Sequence, residues 1–306
     1  MIKIDGLLLP DEPLAAHTSF RIGGPADLYA APRSPQDAAR VIQACSGAGV
    51  PCFLMGGGTN LLVADRGIRG VVLDTSRLSG MRVEEGLLIA EAGTPISAVA
   101  DEALRLGLSG LEFAASLPGS VGGAVWMNAR CYEREIGDVL AFVEERGEDG
   151  AVRRRLVEKR EWSYKHSPYQ DFGALIVRAG FRLSAGDREA IRALMLDNRA
   201  DRESKGHFLH PCAGSVFKNS RAFGAPTGRL IDSLGLKGTR IGGAQIAPFH
   251  GNIIINTGGA TARDVRALME LMEAEVSVRL GFALEREVIL VGEWDRPESE
   301  GAGGTR

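Results

Sequence analysis

The 306-residue sequence lacks the features that mark membrane proteins. No apolar run approaches the roughly 20 residues of a membrane-spanning helix. The first residues contain no basic region followed by an apolar stretch, so we expect no signal peptide.

Cysteine is also scarce, with four residues at positions 45, 52, 131 and 212. Their spacing contains no CxxC pair and no pattern of metal ligands. Free thiols fit a reduced cytoplasmic protein, and we predict no metal site. The net charge is only −3 and the pI is near 6.0, which excludes a general basic field for nucleic acid.

The composition is otherwise that of a globular protein, with 44% hydrophobic and 25% charged residues. The length exceeds one typical domain, so two or three are expected. A polar helix predicted over 188–203 changes the pattern of the chain, and we place a domain boundary near 184–187. The residues 297–306 are rich in glycine and charge, and we expect them to be disordered.

Local signals predict alternating strands and helices. Helices are expected after Ser34, after Thr94 and after Thr261, because each of these capping residues precedes apolar residues at helical spacing. An Asp-Gly pair at 149–150 indicates a hairpin. Strands are predicted at 26–31, 51–55, 71–74, 87–91, 140–145, 152–157, 175–183, 214–218, 252–256 and 287–291.

Three consecutive glycines, Gly56, Gly57 and Gly58, follow the strand predicted at 51–55, and Thr59 and Asn60 come next. A run without Cβ atoms lets backbone N–H groups close around a bulky anion, most often a diphosphate. A tight surface turn explains the same residues equally well. A dinucleotide fingerprint is not supported, because no long helix follows the glycines.

A second segment rich in small residues extends from 116 to 128. Such residues let the chain pass close to a flat ring or a phosphate, or let a helix pack closely on a sheet. Two segments of this kind in one chain favour a nucleotide cofactor. The cofactor-binding residues predicted here are Pro118, Gly119, Ser120, Gly122, Gly123 and Ala124.

Two further segments carry polar groups. In the strand predicted at 214–218, Ser215 could be a nucleophile, a proton donor or a cap. Alternation places Ser215, Phe217 and Asn219 on one face and turns Lys218 away. Alternation also places the glutamates at 285 and 287 on one face of the last strand, either approaching a covered site or forming an exposed, salt-bridged edge.

Together these segments resemble the UDP-N-acetylenolpyruvoylglucosamine reductase family, commonly called MurB. The matching stretches occur in the family's order between about residues 17 and 292: 17–24, the triple glycine, 110–128, 214–219, 236–238 and the strand that contains Glu287. The absence of a long insertion between Tyr169 and Leu175 is similar to the shorter, type II members.

The resemblance implies an α+β protein with an FAD-binding fold of the vanillyl-alcohol-oxidase (PCMH) type in two subdomains, followed by an α+β substrate domain. We assign these to residues 1–70, 71–186 and 187–296. FAD is the implied cofactor, with Gly56, Gly57, Gly58, Thr59 and Asn60 as one half of its site and the segment from Pro118 as the other.

The resemblance also implies roles for individual residues. Ser215 aligns with the family's proton donor, and Glu287 aligns with its acidic catalytic residue. Lys165 stands where the family has a catalytic arginine, and it lacks the planar two-donor fork of that residue. Tyr164, Lys218 and Asn219 are the predicted substrate contacts. Arg130, where members often have glycine, is a second departure from the pattern.

The implied activity is the reduction by NADPH and FAD of UDP-N-acetylglucosamine enolpyruvate to UDP-N-acetylmuramate, a peptidoglycan precursor. No protein partner is expected. Two alternatives stay open at this point. One is a flavin oxidase or dehydrogenase of the same fold with another substrate, since fold alone does not fix function. The other is a non-catalytic protein that senses UDP-sugars.

Overall fold

The computed structural model describes residues 8–147 and 150–294. Asp149 of the predicted hairpin and the tail at 297–306 lie outside this range. The described chain forms three regions, and each contains a β-sheet. Apolar side chains from the helices and strands of each region form its core.

The first region is a four-stranded sheet covered by one helix. Its elements are β1 (Leu9–Pro13), β2 (Pro25–Ala30), α1 (Pro35–Ala48), β3 (Cys52–Met55), β4 (Leu61–Val63) and β5 (Ile68–Asp74). The strand order is β1-β2-β5-β3, with β2 and β3 both parallel to β5. Strand β4 lies outside this sheet.

Capping residues determine where α1 begins and ends. The Ser34 hydroxyl accepts a hydrogen bond from the Asp37 amide, and Gly49 closes the helix in the left-handed conformation. The buried residues Ala38, Val41 and Cys45 recur at helical spacing and pack in the core beneath the sheet.

The second region is a five-stranded antiparallel sheet in the order β12-β11-β13-β7-β6. Its elements are β6 (Met81–Glu84), β7 (Leu87–Glu91), α2 (Ile96–Leu106), β8 (Leu108–Ser109), α3 (Val121–Trp126), β9 (Arg130–Cys131), β10 (Arg134–Glu135), β11 (Leu140–Arg146), β12 (Val152–Leu156), β13 (Leu175–Phe181) and β14 (Ser184–Ala185). Helices α2 and α3 pack on this sheet through one large apolar core.

The third region combines helices with a small sheet in the order β15-β16-β17. Its elements are α4 (Arg188–Ser204), α5 (Thr227–Ser233), β15 (Arg240–Ile241), β16 (Ala244–Ile246), β17 (Ile254–Asn256), α6 (Ala262–Leu280) and β18 (Ile289–Val291). A capping box of Thr261 and Asp264 starts α6, and Gly281 ends it.

The regions share cores and strands. Phe20, Ile22 and Leu62 from the first region are buried against α6 and its neighbours. Strand β18 pairs in parallel with β4, so the end of the described chain returns to the first region. Helix α4 packs Ile191 and Met195 into the core of the second region. The domain boundaries given above stay predictions.

Most predicted elements are present within one to three residues of their expected limits. The strands expected at 252–256 and 287–291, for example, begin two residues later. One strand differs more, since the segment expected at 214–218 is not continuous. Only single bridges form there, from Ser215 to Ile253 and from Phe217 to Arg286, because the segment pairs with two different partners in turn.

Candidate active site

The triple-glycine loop lies directly against the second small-residue segment. A Cβ atom on Gly57 would lie 3.0 Å from the Gly119 Cα, and one on Gly56 would lie 2.7 Å from the Ser120 Oγ. Gly119 has φ +102°, and a Cβ there would lie 2.7 Å from the Thr59 Oγ1. Only residues without side chains allow the two loops to approach this closely.

The loop also presents unpaired backbone donors. Within residues 8–147 and 150–294, the amides of Gly57, Gly58 and Thr59 donate no hydrogen bond to a protein acceptor. All three residues line the main cavity. Amides that face a cavity without a protein acceptor fit the diphosphate of a dinucleotide such as FAD.

The cavity has a volume of about 1740 Å³. A pocket for one small ligand is about 300–1,000 Å³, so this cavity is large enough for a dinucleotide and a second ligand. The two glycine-rich segments form part of its wall, and Lys165, Ser215 and Glu287 also line it. The structure therefore brings the predicted cofactor-binding and catalytic residues to one cavity.

Lys165 and Glu287 form an ion pair in this wall. The Lys165 Nζ lies 2.6 Å from the Glu287 Oε1, and each side chain is 13% exposed. Lys165 has φ +58° in a turn closed by two hydrogen bonds between Ser163 and His166. A left-handed conformation is uncommon for lysine, and such backbone outliers cluster at functional sites.

Glu287 is also held through its backbone. Its amide donates to the Val216 carbonyl at 2.8 Å, and its carbonyl accepts from the Asn60 Nδ2 at 2.9 Å. Glu285 is 73% exposed and pairs with Lys218, whereas Glu287 is 13% exposed and pairs with Lys165. Of the two glutamates, only Glu287 lines the cavity.

Ser215 is positioned by a buried asparagine. Asn252 accepts from the Val216 amide through its backbone carbonyl, at 2.9 Å. Its side chain accepts from the Phe217 amide at 3.0 Å and donates to the Phe217 carbonyl at 2.8 Å. The Asn252 side chain thus takes the place of a neighbouring strand. Among the described residues, the Ser215 hydroxyl has no hydrogen-bond partner.

The prediction that Ser215, Phe217 and Asn219 share one face of a strand is wrong. Phe217 is 0% exposed in the core of the third region, whereas Ser215 and Asn219 line the cavity. Without a continuous strand, alternation does not hold. Lys218 is absent from the described residues that line the cavity, and its ammonium lies 2.6 Å from Glu285.

Tyr164 and Asn219 meet at the cavity wall. The Asn219 amide donates to the Tyr164 hydroxyl at 3.3 Å, and the Asn219 Oδ1 accepts from the Thr227 amide at 2.9 Å. The Arg130 guanidinium lies 5.5 Å from the centre of the Tyr164 ring, which is within the range of a cation–π contact. Arg130 also lines the cavity.

Several cavity residues escaped the sequence analysis. Asn252, Arg202, His207 and His250 line the cavity, and the two histidine rings lie 5.7 Å apart. Burial, together with the nearby Arg202 charge, lowers the pKa of His207 to about 4. Burial also lowers the pKa of His250. Of these residues, only Asn252 gave a signal in the sequence, as a polar residue at the start of the strand predicted at 252–256.

No group of three or more metal-ligating side chains occurs in the part of the chain that the structure describes. No helix there is both long and apolar enough to cross a membrane. The four cysteines, Cys45, Cys52, Cys131 and Cys212, are free thiols, of which Cys45 is buried.

Two family models match separate parts of the chain. Residues 26–154 match the family model of the FAD binding domain, and this match identifies FAD as the cofactor. Residues 206–291 match the model of the UDP-N-acetylenolpyruvoylglucosamine reductase C-terminal domain.

The chain is 42% identical to a UDP-N-acetylenolpyruvoylglucosamine reductase of Heliobacterium modesticaldum, over 94% of this chain and 92% of the relative. It is 41% identical to that of Treponema pallidum, over 92% of each chain. The crystal structure of the Thermus caldophilus reductase, MurB, superposes with a TM-score of 0.78 at 33% identity, over 92% of this chain and 97% of that one.

These matches confirm the expected fold class, an FAD-binding fold followed by an α+β domain. They also confirm the resemblance seen in the sequence, and they extend over nearly the whole chain. The chain therefore belongs to the UDP-N-acetylenolpyruvoylglucosamine reductase family of oxidoreductases.

Proposed function

We propose that this protein reduces the enolpyruvyl ether of UDP-N-acetylglucosamine to UDP-N-acetylmuramate, a peptidoglycan precursor, with NADPH as the reductant. The supporting observation is that a hydroxyl without a protein partner, Ser215, and the Lys165–Glu287 pair line the cavity that also contains the FAD-loop amides. Family membership supports the substrate class.

The substrate alkene is conjugated to a carboxylate, so its reduction accumulates negative charge on that carboxylate. When bound and reduced by NADPH, FAD would supply the hydride that the alkene receives. Lys165 provides a cation in a largely buried wall, where its charge is only weakly screened by water. A cation placed there stabilises the developing charge more than it stabilises the ground state.

Glu287 has two parts in this proposal. Its carboxylate orients the Lys165 ammonium through the 2.6 Å contact, and it borders the position of the substrate carboxylate. A lysine ammonium has three rotatable donors but lacks the planar two-donor fork of arginine, so its orientation is less defined. The Glu287 pair compensates for this, because it fixes the direction in which the ammonium points.

Ser215 supplies the proton to the carbon that bears the ether oxygen and the carboxylate. Its hydroxyl is a weak acid, but the carbon of an enediolate is a strong base. Asn252 holds the backbone of the two residues that follow this serine, Val216 and Phe217, so the hydroxyl is presented from a fixed position. Tyr164 and Asn219 provide polar groups for the sugar nucleotide.

Anaerobic half-reactions test the proposal. NADPH should bleach the flavin absorbance of the wild-type protein, and the enolpyruvyl substrate should restore it. Ser215→Ala should bleach normally and recover at least 100-fold more slowly, a loss of about 2.7 kcal/mol in transition-state stabilisation. The control Ser233→Ala removes a hydroxyl from α5 that donates to the Leu230 carbonyl, and it should behave as wild type.

The same assay separates the alternatives. An oxidase or dehydrogenase with another substrate would be bleached but not restored by the enolpyruvyl compound. A sensor of UDP-sugars would bind the compound without any change in flavin absorbance. Normal recovery in Ser215→Ala would remove this serine from the proton transfer.

A further inference from the structure

We propose that Asn60 is a positioning residue that couples the FAD loop to the Glu287 carboxylate. This inference rests on the proposed function, in which Glu287 orients Lys165. Asn60 is a predicted cofactor-binding residue and lines the cavity. Its side-chain amide also donates to the Glu287 backbone carbonyl, at 2.9 Å.

Asn60 contacts the Glu287 segment at two points. Besides the side-chain contact, the Asn60 carbonyl accepts from the Ile289 amide at 3.0 Å. The parallel pairing of β4 with β18 then begins at Leu61 and Ile289. Asn60 is therefore the residue at which the glycine loop ends and the contact with the Glu287 segment begins.

Glu287 is fixed from the opposite side by the segment that carries Ser215. Its amide donates to the Val216 carbonyl at 2.8 Å. Both backbone polar groups of Glu287 are thus committed, one to the residue after the proton donor and one to the FAD loop. Its side chain is left to contact Lys165, at 2.6 Å.

This geometry matters because the segment before Ile289 is not a regular strand. The Val216 carbonyl holds the amide side of Glu287, and the Asn60 amide holds its carbonyl side. A shift of the FAD loop moves Asn60, rotates the Glu287 peptide and displaces the carboxylate from Lys165. FAD binding to the loop amides should therefore order the Glu287 segment.

Asn60→Asp is the most direct variant, because it keeps the side-chain shape and loses the amide donor. We expect the reduction of its flavin by NADPH, measured at saturating FAD, to slow less than the recovery step. Recovery with the enolpyruvyl substrate should be at least about tenfold slower. Asn60→Ala adds no charge and should show the same pattern, which separates loss of the donor from charge repulsion.

Hydrogen exchange tests the coupling without turnover. In the wild-type protein, FAD should slow amide exchange in a peptide covering 285–291 relative to the FAD-free protein. In Asn60→Asp and Asn60→Ala this protection should be lost, although FAD still protects the loop at 56–59. Wild-type-like protection of 285–291 in both variants would overturn the proposal.

Asn256→Asp is the matched control. The Asn256 Nδ2 also joins the third region to the first, by donating to the Phe20 carbonyl at 3.0 Å, but Asn256 does not line the cavity. It should lower the melting temperature and leave the FAD-dependent protection intact. If Asn256→Asp loses the FAD-dependent protection of 285–291 to the same extent, Asn60 is only a general structural link between the regions. If wild-type flavin is not restored by the substrate, the proposed function fails while the exchange result still decides the coupling.

Discussion

The Lys165 ammonium and the Glu287 carboxylate lie 2.6 Å apart with little exposure to solvent, although they come from different regions of the chain. Neutralising one partner leaves the other charge largely buried and unpaired, which is costly. Lys165→Met should lower kcat/KM for the enolpyruvyl substrate about 100-fold, or about 2.7 kcal/mol. Steady-state kinetics together with the flavin content of the purified variant measure this effect.

Lys218→Met provides the contrast, because it breaks an ion pair of similar length outside the cavity. Exposed ion pairs contribute about 0–1 kcal/mol to stability, so the fold should change little. Because Lys218 does not line the cavity, the KM of the variant should stay within about twofold of wild type. A large rise in KM would restore Lys218 to the substrate contacts predicted from the sequence. Full activity in Lys165→Met would assign the cation role to another residue.

Asn252 should affect both stability and turnover. Asn252→Leu removes the two side-chain hydrogen bonds to Phe217 and leaves a buried amide and carbonyl without partners. Each unsatisfied buried group costs about 1–3 kcal/mol, so the free energy of unfolding should fall by about 2–6 kcal/mol. Chemical denaturation measures this loss.

A purely structural Asn252 would leave the rates of the folded enzyme unchanged. We expect instead that flavin recovery with substrate slows more than flavin reduction by NADPH, because Ser215 is displaced. Equal slowing of the two half-reactions would contradict a specific effect on the serine.

The contact between the two glycine loops should be sensitive to one methyl group. A Cβ on Gly57 would meet the Gly119 backbone at 3.0 Å, and neither loop can yield by rotating a side chain. Gly57→Ala should therefore weaken FAD binding by at least about tenfold, which is 1.4 kcal/mol. Fluorescence titration of the FAD-free protein measures this affinity.

Gly47→Ala is the matched substitution, since a Cβ there meets nothing within 4 Å. Gly47 lies inside α1, where alanine is favoured over glycine by about 0.5–1 kcal/mol. Unchanged FAD affinity and equal or higher stability are expected. If Gly57→Ala also binds FAD normally, the close approach of the loops is not needed for the cofactor.

Stability should depend on pH through His207. Folding depresses its pKa to about 4, whereas an imidazole in the unfolded chain has a pKa of about 6.5. As the pH falls between these values, the unfolded chain takes up the proton first. The free energy of unfolding therefore falls as the pH drops from about 6.5 to about 4, with no further contribution from His207 below that.

His207→Gln should flatten the melting temperature as a function of pH in this window. His250→Gln is the comparison, because its pKa is lowered in the same direction and part of the dependence belongs to it. A pH profile identical to wild type in His207→Gln would show that this histidine is not the titrating group.

Local chemistry made much of the fold predictable. The capping residues of α1 and α6 lie a few residues from the apolar positions they introduce, so short stretches of sequence specify these helices. The two glycine-rich segments were identified in the same way. Their contact was not predictable, since it depends on packing between residues distant in the chain.

The details at Ser215 and Glu287 were less accessible to sequence reasoning. Alternation assumes a continuous strand, and neither segment forms one. Hydrogen bonds from Asn252 and Asn60 replace the missing strand neighbours. A side chain that substitutes for backbone pairing leaves no periodic signal, so these two contacts could be identified only from the structure.

The pairing of β4 with β18 has a consequence for biosynthesis. A ribosome makes the FAD loop early, but the strand that secures the loop's exit is among the last described segments to emerge. Until residue 291 is available, β4 has an unpaired edge and Asn60 has no Glu287 to contact. We therefore expect a chain interrupted before β18 to bind flavin less tightly than the full chain.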